Sequence, residues 1–299
     1  SSAASDVYKR QGWGGEVVVV QSAGLAPYNE ALRGFAETLT KDVPTSGPKS
    51  IQAHTTTSYI LSEVESPSQL RQTLSRQRPD LLLAIGSSSL SLVKDLADIP
   101  ILYLMVPYPE LVIKSQDNIT GINMTIPPSK HLEALVRVMP QAGTVGLLYD
   151  PEQTGSLVQE ALQYAAQKNI SLLVLPVENS REVPRKLARL SGRVDWLWML
   201  PDRTVLTPQT VDHIFLFSLE NRIPILTFSS KYLDMGAVLS VSLDFFDMGK
   251  QAGELALKVM GRPGISNIPP QPARNVIVNT NKKAAQMLGI FLKDQDGLE

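Results

Sequence analysis

The sequence of 299 residues contains no cysteine and only three histidines. The lack of cysteine excludes disulfides, thiolate metal sites, cysteine nucleophiles and a lipidated cysteine within these residues. The histidines, His54, His131 and His213, are far apart in the sequence, so histidine-based catalysis has few candidates. Motifs typical of a bound metal, a P-loop nucleotide site or a serine nucleophile elbow are also missing. The sequence therefore predicts no cofactor, no metal and no catalytic residue, and favours a protein that is not an enzyme.

The chain also lacks an excess of either charge and lacks long apolar runs. Lysine and arginine total 28 and aspartate and glutamate 29, so nucleic acid is not an expected partner. No apolar run approaches the roughly 20 residues of a membrane span. Ser1 to Gly15 contain no apolar signal core and are interpreted as a leader or an appended remnant, which does not indicate a compartment.

What is present is a regular alternation of apolar strands and amphipathic helices, with 43% hydrophobic residues. Val17 to Val20 form a continuous β-branched run, and a helix opened by Pro27 follows. Continuous apolar strands between helices are typical of parallel sheets that are covered on both faces. At roughly 100–200 residues per domain, the length predicts two domains.

An internal repeat supports this division. Asp80-Leu-Leu-Leu-Ala-Ile-Gly-Ser matches Asp195-Trp-Leu-Trp-Met-Leu-Pro-Asp in pattern, and each segment is followed by a helix and then by Ile-Pro-Ile-Leu. The first copy of that tetrapeptide begins at Ile99 and the second at Ile223. We predict an α/β protein with two Rossmann-like parallel-sheet lobes; one doubly wound domain is the alternative interpretation.

Ligands of open parallel sheets bind beyond the carboxyl ends of the strands, so two facing sheets would line one cleft. Gly86, Ser87 and Ser88 follow a buried strand and open a helix. Their N–H and hydroxyl groups favour an anion such as a carboxylate, although a serine there can also simply cap the helix.

Acidic and aromatic residues follow other predicted strands. Asp202 occupies the repeat position equivalent to Ser87, where it either pairs with a ligand ammonium or caps the next turn. Asp244 is a second acidic candidate, with helix capping as its alternative role. Tyr28, Tyr108 and Tyr149 lie at or after strand ends, where they stack on a ligand or pack locally.

Several segments, taken in order, resemble the ABC transporter substrate-binding protein family, in its branch with the type I periplasmic binding fold. They include Pro79–Gly86, Asn118–Gly121, Thr144–Pro151 and Asp247–Gly253, and the resemblance extends over roughly Glu16 to Ile290. The resemblance implies two lobes joined by three hinge crossings, which close around a small ligand and present it to an ABC permease. It also implies a periplasmic or extracellular, membrane-associated location and a monomer.

The resemblance further implies a set of ligand-binding residues. These are Ser22, Tyr28, Gly86, Ser87, Ser88, Asp202, Thr204, Ser229, Ser230 and Asp244. Val106-Pro107-Tyr108-Pro109 and Ser229-Ser230-Lys231 depart from the loops of aromatic amino-acid binders. We therefore expect a small polar or aromatic metabolite, with an amino acid as first choice, and add Pro107, Tyr108 and Tyr149 to the candidate site.

The expected lobes are discontinuous in sequence. The N-lobe comprises residues 16–120 and about 244–272, and the C-lobe comprises 121–243 and about 279–299. The hinge crossings are expected near 119–122, 242–246 and 274–279. A sensory or regulatory ligand-binding domain of the same fold, and a small-molecule enzyme, are the alternative functions.

Overall fold

A computed structural model of the protein describes residues 15–41, 55–114, 117–141, 143–260 and 268–293. Residues 1–14 of the predicted leader or remnant lie outside the described residues. The secondary-structure elements, in chain order, are β1 Glu16–Gln21, α1 Ala26–Lys41, β2 Thr55–Ile60, α2 Pro67–Gln77, β3 Leu81–Ile85, α3 Ser87–Val93, β4 Ile101–Leu104, β5 Ile119–Asn123, α4 Pro128–Val138, β6 Thr144–Tyr149, α5 Pro151–Gln167, β7 Ser171–Pro176, α6 Val183–Ala188, β8 Trp196–Trp198, α7 Pro208–Asn221, β9 Ile225–Thr227, β10 Leu239–Leu243, α8 Phe245–Met260, β11 Gln271–Pro272, β12 Val276–Thr280 and α9 Lys282–Met287.

The chain divides into two compact units. The first unit contains the residues up to Thr125 together with Asp244–Asn275, and the second contains Ile126–Leu243 and the residues from Val276 onward. The chain therefore passes three times from one unit to the other. The first passage follows Thr125 and comes after the region 119–122 where the sequence places it, because β5 is a strand of the first unit's sheet.

The first unit is built on a parallel sheet with the strand order β11-β5-β4-β3-β1-β2. Every residue of β3 is buried, which matches its uninterrupted apolar sequence. On one face, α1 and α8 approach each other closely: a Cβ atom at Gly249 would lie 1.9 Å from the Ala31 carbonyl oxygen. Gly249 lies against Ala31 and Gly253 against Thr38, so the two helices run in the same direction.

The second unit repeats this plan with the strand order β12-β10-β9-β8-β6-β7, in which β12 alone is antiparallel to its neighbour. An apolar cluster that includes Leu197, Ile225, Leu187 and Ile214 packs α6 and α7 on one face of the sheet. The helix α4, which packs against α5, was not among the elements that the sequence predicted. The described residues thus confirm the two-lobed α/β fold class.

The sequence repeat corresponds to a repeated hydrogen bond. The Asp80 carboxylate accepts a bond from the backbone N–H of Glu16, at 2.8 Å, and Asp195 accepts one from Thr144, at 2.6 Å. In each unit, an aspartate before the third strand therefore binds the start of the first strand. Duplicated geometry of this kind explains why the two aspartates recur at equivalent positions in the repeat.

The helices of the described ranges include none that is long and apolar enough to cross a membrane. Within the same ranges, three or more histidine, aspartate or glutamate side chains nowhere converge in a way that would hold a metal ion.

Candidate functional site

The loop after β1 is joined to the start of α3 at the carboxyl edge of the first unit's sheet. The backbone N–H of Ser22 donates to the Ile85 carbonyl at 2.8 Å. The Ser22 Oγ accepts from the Ser89 N–H at 2.9 Å and donates to the Ser89 hydroxyl at 3.2 Å. The cap of α3 is therefore supplied by Ser22 from a different loop, and the alternative interpretation, in which a serine that follows Gly86 caps the helix, is wrong.

Gly86 is the point where Ser22 and Tyr28 converge. Its φ of +91° belongs to a region that residues with a Cβ rarely adopt. A Cβ atom here would lie 2.6 Å from the Ser22 Oγ and 2.7 Å from the Tyr28 Oη. Burial raises the pKa of the Tyr28 phenol above its ordinary value, so the hydroxyl stays protonated at neutral pH and can donate a hydrogen bond.

The other candidates of the first unit lie around this point. Ser87 is half-buried and Ser88 is exposed in the first turn of α3, while Pro107 and Tyr108 follow β4, the strand next to β3. Asp244 caps α8, since its Oδ1 accepts from the Asp247 N–H at 2.8 Å, as the alternative interpretation predicted. Because α8 runs in the direction of α1, Asp244 lies toward the end of the sheet where Ser22 is found.

In the second unit, Asp202 lies beneath the carboxyl edge and is only 1% exposed. Its Oδ2 accepts from the Asp150 N–H at 2.7 Å and from the Thr154 hydroxyl at 2.6 Å. Its Oδ1 accepts from the backbone N–H groups of Thr204 and Val205, both at 3.0 Å. These four bonds use the acceptor capacity of the carboxylate. The geometry favours the alternative prediction for Asp202, namely that it caps the turn after β8.

The carboxylate that reaches the surface here belongs to Asp150, which is half-buried at the end of β6. Its Oδ2 accepts from the Thr204 hydroxyl at 2.6 Å and from the Gln153 amide at 3.0 Å, and its Oδ1 accepts from the Glu152 N–H at 2.9 Å. These hydrogen bonds, the one from Thr204 above all, hold the pKa of Asp150 below its ordinary value. Asp150 is therefore a fixed negative charge at neutral pH.

The remaining candidates of the second unit occupy the same edge. Tyr149 is the half-buried last residue of β6, and Ser229 and Ser230 follow β9. Because the strand order is β9-β8-β6, the loops that carry Ser229, Asp202 and Tyr149 are neighbours. The structure joins Asp202 and Thr204 directly through hydrogen bonds, and it places Ser229 and Ser230 on the adjacent loop.

Asp150 and Gln153 lie in the segment 150–155, which the sequence places among the loops expected to line the cleft, but neither residue was singled out as a ligand contact. The closest signal in the sequence was the dipeptide Asp150-Pro151, an N-cap followed by proline in the first helical turn, which is what the structure shows for α5. That signal predicts a helix start, and it does not indicate that the carboxylate also faces the loop after β8. The contact between the two loops depends on the strand order, which places β8 beside β6.

Two parallel α/β units that exchange the chain three times, each with polar loops at the carboxyl edge, define the type I periplasmic binding protein fold. Over residues 27–296 the chain matches the family described as ABC transporter substrate binding protein, and it belongs to that family.

Individual relatives are more distant. The chain is 26% identical over 201 residues to the tyrosine-binding protein of Clostridioides difficile (strain R20291), a match that covers 64% of this chain and 58% of that protein's length. The ligand-free, open structure of a substrate-binding protein with adhesive properties from Clostridium difficile is similar with a TM-score of 0.73 and 21% identity, over 94% of this chain and 97% of that one. A complex with L-Trp from Streptococcus pneumonia has a TM-score of 0.58 and 19% identity, over 93% and 95% of the two chains.

Proposed function

We propose that the protein is an extracytoplasmic solute-binding protein that binds an amino-acid-like metabolite and delivers it unaltered to an ABC permease. Membership of the substrate-binding family over residues 27–296 supports this role. The tyrosine-binding relative supports an amino acid as the ligand. In this proposal the two units are the N-lobe and C-lobe, and the three passages of the chain form a hinge.

The observation that carries the proposal is the difference in chemistry between the two carboxyl edges. Around Gly86, the first unit presents the Tyr28 hydroxyl and the first turn of α3, with the N–H and hydroxyl groups of Ser87 and Ser88. The second unit presents the ionised carboxylate of Asp150. Donors suit a carboxylate and a fixed carboxylate suits an ammonium group, so together the two edges suit an α-amino acid.

The proposed contact residues combine the sequence candidates with this geometry. They are Ser22, Tyr28, Gly86, Ser87, Ser88, Pro107, Tyr108, Tyr149, Asp150, Thr204, Ser229, Ser230 and Asp244, with Asp202 behind them. The aromatic rings of Tyr28, Tyr108 and Tyr149 offer surfaces on which a ligand side chain can stack.

A thermal-shift screen tests the ligand class. L-tyrosine, L-tryptophan and L-leucine are compared with ribose and with buffer alone. A ligand at 100 times its dissociation constant stabilises by about 2.7 kcal/mol. For lobes of roughly 150 residues that corresponds to a rise in the melting temperature of roughly 5–10 °C. A shift with at least one amino acid supports the proposal, and a shift with ribose alone contradicts it.

A further inference from the structure

Asp202 is the centre of a hydrogen-bond network that joins three segments of the second unit. Its four donors come from the end of β6, from the first turn of α5 and from the loop after β8. The backbone of the same residue contributes as well, because its carbonyl accepts from the Leu206 N–H at 2.8 Å. The conformations of the loop after β6 and of the loop after β8 therefore depend on one buried carboxylate.

A second layer of side chains lies over Asp202 and is turned toward the surface. The Thr204 hydroxyl donates to Asp150, and the Gln153 amide donates both to Asp150 and to the Thr204 hydroxyl. The Gln153 carbonyl oxygen in turn accepts from the Arg203 backbone at 3.3 Å. Asp202 accepts hydrogen bonds from the backbone N–H groups of Asp150 and Thr204, and the side chains of these two residues are hydrogen-bonded to each other.

We propose that Asp202 is a positioning residue of the ligand site, which fixes Asp150 and Thr204 so that Asp150 contacts the ammonium group of the ligand. This inference rests on the proposed function for the identity of the ligand. It assigns different roles to two aspartates that both lie near the carboxyl edge of the second unit. A direct contact of Asp202 with the ammonium would require it to give up one of its four internal hydrogen bonds.

The experiment compares L-tyrosine with desaminotyrosine, which lacks the amino group. The amine preference is the ratio of their dissociation constants, measured by calorimetry. Asp150→Asn is expected to lower this ratio by about tenfold or more, because it removes the charge that meets the ammonium. Asp202→Asn is expected to lower it by a similar factor. The control Glu152→Gln, an exposed carboxylate beside Asp150, is expected to change it less than about twofold.

The double variant separates positioning from direct contact. If Asp202 acts through Asp150, Asp202→Asn causes no further loss of amine preference in the Asp150→Asn background. Losses that multiply in the double variant would overturn the proposal, and so would an amine preference that survives Asp150→Asn. Should Asp202→Asn fail to fold, Thr154→Val takes its place, since it removes one donor to Asp202 while both charges remain. A smaller loss of amine preference is then expected in Thr154→Val alone. No further loss is expected when Thr154→Val is added to Asp150→Asn, and that pair of results would support positioning.

A measurement without ligand keeps this inference separate from the proposed function. If the wild-type protein binds neither compound, the amino-acid proposal fails, and backbone amide exchange then tests the positioning role. Asp202→Asn (or Thr154→Val) is expected to speed exchange at both Asp150 and Thr204 by about tenfold or more, whereas Asp150→Asn leaves the Thr204 amide protected. Unchanged exchange in the Asp202 variant would overturn the proposal.

Discussion

The guanidinium of Arg274 forms a bidentate ion pair with the carboxylate of Asp247, with Nε–Oδ2 and Nη2–Oδ1 distances of 2.9 Å each. A third contact joins Arg274 Nη1 to Glu254, also at 2.9 Å. Arg274 lies just before the passage of the chain after Asn275, and Asp247 lies just after the passage at Asp244. Within the first unit, the ion pair therefore ties together the ends of two of the three passages.

Arg274→Lys is expected to destabilise the protein by about 1–3 kcal/mol, because a lysine cannot form the paired bonds to a carboxylate that is largely shielded from water. The Asp247 side chain is only 12% exposed. Chemical denaturation measures the change, with Arg185→Lys as control. The Arg185 pair with Glu182 is long, at 3.5 Å, and its arginine is exposed, so that variant should change the free energy of unfolding by less than about 0.5 kcal/mol. Equal effects in the two variants would refute the special role of Arg274.

The close packing of α1 against α8 gives a second prediction. Gly249→Ala places a methyl group 1.9 Å from the Ala31 carbonyl oxygen, so the helices must separate and the free energy of unfolding should fall by about 2 kcal/mol or more. Gly155→Ala, in α5, meets no atom within 4 Å among the described residues and should be neutral or stabilising by up to about 1 kcal/mol. Both values come from denaturant titration. A Gly249→Ala protein as stable as the wild type would show that the helices are not in contact.

His131 is a buried histidine outside the candidate site. It lies on α4 with its ring centroid 5.3 Å from that of Trp198. Burial lowers the pKa of His131 to about 4, and the backbone of Pro127 acts in the opposite direction. The folded protein therefore holds this ring neutral, while the unfolded chain binds a proton near the ordinary pKa of about 6.5.

The depressed pKa of His131 predicts that stability falls as the pH drops. The contribution is fully present above about pH 6.5 and is lost as the pH approaches 4, because only the unfolded chain takes up the proton in that window. Between pH 7 and pH 5 this amounts to about 2 kcal/mol. The difference in the free energy of unfolding between pH 7 and pH 5 should shrink by that amount in His131→Leu and stay unchanged in His213→Gln, whose ring is exposed. A pH dependence of stability that persists unchanged in His131→Leu would contradict the depressed pKa of His131.

The architecture could be predicted from the sequence because it depends on local patterns. Parallel sheets were predicted from the apolar runs of β1 and β3, and the duplication into two lobes was predicted from the repeat that contains Ile-Pro-Ile-Leu. The helix α4 was missed although it buries Leu132 and Leu135, because it begins at the proline pair Pro127-Pro128 and proline pairs also indicate loops.

Fewer details of the candidate site than of the fold could be predicted from the sequence, since these details depend on contacts between loops that are distant in sequence. Ser22 caps a helix 67 residues away, and Asp150 contacts Thr204 across 54 residues. Neither contact leaves a local pattern. Asp202 was named as a candidate from the sequence, but its burial, which favours capping over ligand contact, follows only from the packing of β6 beside β8.

Calorimetric titration of L-tyrosine and L-tryptophan, followed by mass spectrometry of the recovered ligand, tests the central claim most directly. The wild-type protein should bind at least one of the two at one molecule per chain and return it chemically unchanged. Gly86→Ala should lose that binding, because the new methyl group collides with the Ser22 and Tyr28 hydroxyls. Conversion of the ligand, or full binding by Gly86→Ala, would contradict a solute-binding site at this edge.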